Sequence, residues 1–292
     1  MKLLNGLRIG AVAMLIGRAW ESIRWGGHIR DLFYNPDGIG GWIAEKKGIS
    51  LAEIYSDHSY EHLLDWTANV MGMVFLLTAI TILFWEQLKM LRWTIYPTFG
   101  FLMVTFIGLF MKRHFDEWGM LFEHSAQFFI IVCFVFLAKG LQKLSFNIAV
   151  LATAITFFCH GLYAIGYYPQ PGKFADMLIL TIGVNENTAR SMLIGFAWYD
   201  FIYASALLLT LLEVVRSYLR NKRMSHIFMS TIMLYSIFWG FMTAIARMWS
   251  SYTEGQVIHW ISQYGLEVLV RFPHFILPWF IWKIYQDKKL QT

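Results

Sequence analysis

The chain has 292 residues, of which 57% are hydrophobic, 18% aromatic and only 15% charged, whereas a soluble domain carries about a quarter charged residues. With a mean hydropathy of +0.49, too few charges remain to cover a water-soluble globule, so the composition is that of a protein solvated by lipid. The net charge of +5 does not point to nucleic acid, because the basic residues gather at the ends of apolar segments, where membrane orientation and anionic headgroups account for them.

A spanning helix needs about 20 predominantly apolar residues. The first segment that qualifies is Gly6–Trp25, which carries Arg18 and Glu21 and lacks a small-residue cleavage pattern, so it reads as a retained helix and not a signal peptide. A long connection, 26–62, follows with Gly38, Gly40 and Gly41, an amphipathic stretch at Ile49–Tyr55, and His58, Glu61 and His62 at its end. Segments Leu63–Phe84, Trp93–Met111 and Met120–Ala138 come next, with Lys89 and Arg92 in one connection and Lys139 and Lys143 in another. After Phe146–Tyr167 a second long connection, 168–190, holds Pro169 and Pro171 and a candidate surface helix at Phe174–Thr181. The last spans are Ser191–Leu212, Ile227–Trp249 and Leu266–Tyr285, the first two separated by Arg216, Arg220, Lys222 and Arg223. Pro273 and Pro278 are expected to kink the last one.

Eight spans put every basic connection, Lys2, Arg8 and the tail Lys283, Lys288 and Lys289 on one side of the membrane. The positive-inside rule makes that side cytoplasmic, with both termini. The fold class expected is therefore an all-α polytopic membrane protein of about eight transmembrane helices. Residues 1–143, with outer loop 26–62, and 144–292, with outer loop 168–190, follow one plan. Each has a helix, a long outer loop and three further helices, which predicts two parallel four-helix repeats.

Ionisable groups inside spans are costly and by default face partners or water. Here they collect toward the outer ends. Arg18, Glu21, Arg24 and His28 advance by three, three and four residues along the first helix and share a face. Glu267, Arg271 and His274 form a similar stripe near the end of the chain. Asp65, Arg113, Glu123, His124, His160, Asp200 and Arg247 lie at similar depth. Arg–carboxylate bridges between the halves are the simple explanation. However, the polar groups outnumber what pairing needs, and Trp20, Trp25, Tyr163, Tyr199 and Trp249 stand among them. Aromatic walls with a few convergent polar groups describe a ligand cavity. In that reading the arginines hold an anionic or carbonyl head, and Glu21, Glu267 and His274 handle protons.

Other chemistry is less well supported. His58 and His62 flank Glu61 in an inverted zinc-protease order, but no third ligand is identifiable, so no metal is expected there. His28, His114 and His124 are alternative metal ligands. A bis-histidine haem would need two facing histidines, His124 and His274. Cys133 and Cys159 lie in apolar runs and read as small buried hydrophobes, not a disulfide.

Four short stretches carry a family likeness: Leu15-Ile16-Gly17-Arg18-Ala19-Trp20, Leu64-Asp65-Trp66, Glu123-His124 and His160-Gly161-Leu162-Tyr163. Together they resemble the DoxX-like superfamily, including its HTTM-type relatives, of four-helix membrane proteins, here as a tandem copy. Members include a membrane subunit linked to thiosulfate–quinone oxidation and the transmembrane part of vitamin K-dependent carboxylase-like proteins. The resemblance implies four-helix units around a quinone- or lipid-sized ligand, although this chain departs in its length and long outer loops. The expected role is a bacterial inner (plasma) membrane protein binding a quinone or lipid in an outward cavity between the repeats, as the membrane subunit of a redox or envelope-modifying system, with no catalytic step assigned. A lipid or small-solute transporter and a scaffold for a periplasmic or membrane partner protein are the rival readings.

Overall fold

The structure, a computed structural model, describes residues 2–112, 117–211, 223–252 and 256–289. It is 85% helix, with no strand among the described residues. Six helices are long and apolar enough to cross a membrane: His58–Leu83, Lys89–Met111, Trp118–Ala138, Gln142–Ile165, Glu186–Leu209 and Ser230–Trp249. This is a multi-pass membrane protein.

The helices in chain order are α1 (Lys2–Trp25), α2 (Ile29–Tyr34), α3 (Ile39–Lys47), α4 (Leu51–Ser56), α5 (His58–Leu83), α6 (Ile95–Met111, entered through a 3-10 turn at Lys89–Thr94), α7 (Trp118–Phe122), α8 (Ser125–Ala138), α9 (Gln142–Ile165), α10 (Gly172–Ile182), α11 (Glu186–Leu209), α12 (Arg223–Trp249), α13 (Val257–Val270) and α14 (Pro273–Lys289). The two long connections are thus largely helical. The expected stretch 49–55 is α4, closed by a capping box in which Ser50 and Glu53 satisfy each other's backbone N–H groups. The expected surface helix 174–181 is α10. Helix α5 starts five residues earlier than the apolar run, because Asp57 caps it by accepting from Ser59 N–H.

One expectation is corrected. Leu266–Tyr285 is not one kinked helix: α13 ends at Val270, and α14 begins at Pro273. Pro273 has no N–H to lose and suits a first helical position, so it starts a helix where Pro278 sits inside one. A similar break at Glu123–His124 separates α7 from α8.

The chain forms two compact units, one of Leu15–Leu121 and one of Met1–Met14 with Phe122–Thr292. In the smaller unit α5 and α6 are joined in their interior by threonines. Thr78 and Thr98 hydroxyls are 2.8 Å apart, and Thr78 also donates to Thr94 O at 3.2 Å. Hydrogen bonds of this kind tie helices where lipid gives no hydrophobic drive between them. In the larger unit α9 is the central helix, packed on α8, α11 and α14. Its buried residues are mostly small (Ala149, Ala152, Thr153, Ala154, Thr156, Cys159 and Gly161 among them), which lets neighbouring backbones approach. Thr156 Oγ1 accepts from Ala126 N–H at 2.9 Å, and Ser145 donates to Cys133 O at 2.8 Å. Both cysteines are free and buried.

Candidate functional site

The larger unit holds a partly open cavity of about 410 Å³ between α9, α10, α11, α12 and the start of α14. Its walls are mostly apolar, with Phe157, Leu193, Phe196 and Trp239 among the lining residues. Helix α10 covers one side and turns Phe174, Met177, Leu178 and Thr181 toward it. Ala175 of α10 packs with Ala164, Ala189, Leu193 and Ala197, which seats α10 on α9 and α11. Gly240 allows α12 to lie directly on the entry to α14: a Cβ there would stand 2.6 Å from His274 O.

Polar groups occupy two places in this cavity. The first is a cation cluster around Glu267. Lys173 Nζ lies 3.5 Å from Glu267 Oε1, while Arg247 and Arg271 Nη1 lie 3.6 and 4.0 Å from Oε2. Charge-assisted hydrogen bonds run at about 2.7–2.9 Å, so these are loose pairs around one shared carboxylate. Arg247 and Arg271 also line the cavity, and Arg247 lies over the Phe174 ring, 5.8 Å from its centroid. Lys173, Arg247 and Arg271 thus gather around one carboxylate.

The second group is His160, His274 and Asp200. The two imidazoles stack with centroids 5.4 Å apart and planes within 5°. Glu123 Oε2 stands 3.9 Å from His160 Nε2, and Glu123 Oε1 3.6 Å from His124 Nε2. Asp200 is only 4% exposed and its Oδ1 makes no hydrogen bond among the described residues. His274 therefore faces His160, not the His124 expected for a haem. Stacked rings turn their faces to each other, and an axial ligand needs the in-plane nitrogen lone pair aimed at the iron.

The expected residues His160, Asp200, Arg247, Arg271 and His274 thus line one cavity, with Glu267 and Glu123 touching its polar groups. Lys173 was missed by the sequence reading. Its signal was a cation two residues after Pro171, at the start of an amphipathic helix.

Arg18, Glu21, Arg24 and Asp65 belong to the smaller unit, where they form a different arrangement. Arg18 donates to Glu21 at 2.6 Å, and Glu21 Oε1 is 3.1 Å from His28 Nε2. His28 Nδ1 is 2.6 Å from Asp31, which also faces Lys112 at 3.6 Å. Burial pulls the His28 pKa down, but its hydrogen bonds to Asp31 and Glu21 outweigh that and leave it raised. Burial raises Asp31, and its bond to His28 more than offsets this and leaves it lowered. The turn that brings His28 back over α1 runs through Gly26 and Gly27, both with positive φ (75° and 60°), a region open to glycine. Arg30 bridges α2 to α5 through Glu61 (2.6 Å) and Asp65 (2.7 Å), and Tyr34 donates to Glu61 as well. Arg24 stacks on Trp25 and lines a small polar hollow of about 280 Å³ with Arg30, Glu61 and Asp65. This unit therefore uses its polar residues mainly as ion pairs that hold α2 to α1, α5 and α6.

His58 and His62 lie in the first turns of α5, and Glu61 between them is taken by Arg30 and Tyr34. No group of three His, Cys, Asp or Glu placed to hold a metal occurs among the described residues. Arg113 and His114 lie outside the described residues. Set against known proteins, the chain matches no family model, no curated protein and no solved structure.

Proposed function

We propose that this is an inner-membrane protein that crosses the bilayer eight times, as two parallel four-helix repeats at 1–143 and 144–292 with both termini cytoplasmic. Its larger unit would bind an amphiphile of lipid or quinone size, as expected of a DoxX-like protein. Two features support the eight spans beyond the six apolar helices. At 24 residues α1 is longer than the roughly 20 a span needs, and the positive charges agree only if it crosses. Each proposed repeat also ends in a broken helix, α7–α8 in one and α13–α14 in the other.

The cavity carries the ligand reading. An apolar chamber of about 410 Å³, with Arg247 and Arg271 at one polar group and the histidine pair at another, has the size and lining of a small-molecule site. Two arginines lining the cavity suit a carboxylate, phosphate or carbonyl head. In this role the protein would present or accept its amphiphile for a membrane redox or envelope-modifying system.

Native mass spectrometry of the chain purified in mild detergent tests this. Wild-type protein is expected to retain a bound acidic or carbonyl-bearing amphiphile, and Arg271→Gln to lose it while keeping its helical content. A wild-type spectrum of ligand-free protein, or an Arg271→Gln variant that keeps the same adduct, would overturn the reading.

A further inference from the structure

Asp200 and Arg247 stand at different levels of the cavity, and the packing of the helices gives their separation. Phe196 of α11 packs on Trp239 of α12 (4.4 Å between centroids), and Tyr199 packs on Tyr235 (5.2 Å). Asp200, next along α11, is therefore level with the Tyr235–Trp239 stretch. On the other wall His160 of α9 stacks on His274, whose ring lies 3.2 Å from Arg271 O, so the histidine pair stands between Asp200 and the arginines. From Trp239 to Arg247 is eight residues, about 12 Å of helix at 1.5 Å per residue. The space between is lined by Leu193, Phe196, Met242 and Ala246. Arg247 and Asp200 are thus separated by a wall that is mostly apolar.

Asp200 is what the amphiphile reading leaves unexplained. A simple chain with one polar head satisfies the arginines and meets only apolar surface further in. It would leave a buried carboxyl with Oδ1 unbonded, and buried polar atoms are overwhelmingly bonded in native proteins. A carboxyl oxygen can accept a hydrogen bond whether or not the group is ionised. Its complement is a hydroxyl on the ligand.

We infer that the ligand is two-ended: an acidic head held by Arg247 and Arg271, and a hydroxyl about 12 Å beyond Arg247 along an apolar chain, met by Asp200. This rests on the amphiphile reading and narrows it to a chain-hydroxylated acidic lipid.

The probes are palmitate and palmitate hydroxylated at mid-chain, titrated against the full chain in mild detergent by native mass spectrometry. The wild type is expected to bind the hydroxylated acid about tenfold more tightly, the worth of one well-made buried hydrogen bond. Asp200→Leu, which keeps the bulk and removes the bonding oxygens, brings the ratio of the two affinities to about one. Asp200→Asn, which still accepts a hydrogen bond, retains a preference. Arg271→Gln weakens both probes together. Equal wild-type affinity for the two acids, or a preference that survives Asp200→Leu, overturns the two-ended ligand. If palmitate still binds through Arg271 in that case, the amphiphile reading stands without it. If neither acid binds the wild type, both fall.

Discussion

The approach of α12 to the start of α14 can be probed with a single methyl group. A Cβ at Gly240 would lie 2.6 Å from His274 O, 2.9 Å from His274 C and 3.3 Å from Phe275 N. All three are backbone atoms, so no rotamer change relieves the overlap and the two helices must separate. Overpacking of this kind costs about 1–3 kcal/mol. That outweighs the benefit of up to about 1 kcal/mol that alanine brings over glycine in a helix interior. Gly195 supplies the control, because a Cβ there meets nothing within 4 Å, so Gly195→Ala is expected to be neutral or stabilising. Thermal unfolding in detergent, followed by circular dichroism, should place Gly240→Ala below the wild type and Gly195→Ala at or above it. A Gly240→Ala protein as stable as the wild type would refute the close packing of α12 on α14. It would also remove the basis for placing His274 in the cavity wall.

The smaller unit gives a prediction in pH. His28 has a raised pKa, so its contribution is full below the ordinary histidine value and is lost as pH rises through the raised one. Asp31 has a lowered pKa, so its contribution is present above the ordinary carboxylate value and is lost as pH falls through the lowered one. Hydrogen exchange over 29–56, corrected for intrinsic rate, should therefore be faster at about pH 9 than at about pH 6. His28→Gln should flatten that difference, and an unchanged pH dependence in the variant would reject the assignment. The eight-span topology has its own test, because α1 and α13–α14 decide which side the termini occupy. Cysteines introduced near Lys2 and Asp287 should be labelled from the same side as one placed at Lys139. Labelling from the opposite side would mean that the six apolar helices are the only spans.

Most of the helices could be read from the sequence because lipid demands long apolar runs, and runs such as Leu63–Phe84 have little else to become. The break at Arg271 could not be read in that way. Ser262, Gln263 and Tyr264 dilute the apolar signal of α13, and Pro273 looks the same in a sequence whether it kinks a helix or starts one. Helices α2 and α3 were missed because six or nine residues carry little periodicity, and α2 is positioned by side chains far along the chain, with Asn35 donating to Met111 O. At the site, the ionisable residues stood out one by one as charges in apolar segments. Their grouping did not: the His160–His274 stack joins residues 114 apart, and only the packing of α9 and α14 brings them together. The Arg18–Glu21 pair, by contrast, followed from its helical spacing.

Photo-crosslinking reports whether an amphiphile occupies the cavity of the larger unit. A palmitate bearing a mid-chain diazirine, irradiated with the full chain in mild detergent and mapped by peptide mass spectrometry, should label Phe157, Met192, Phe196 and Trp239, which line the cavity. Excess unlabelled palmitate should abolish that labelling. Labelling spread over exposed apolar residues such as Trp66, Met73 and Phe238, and indifferent to competitor, would contradict that occupancy.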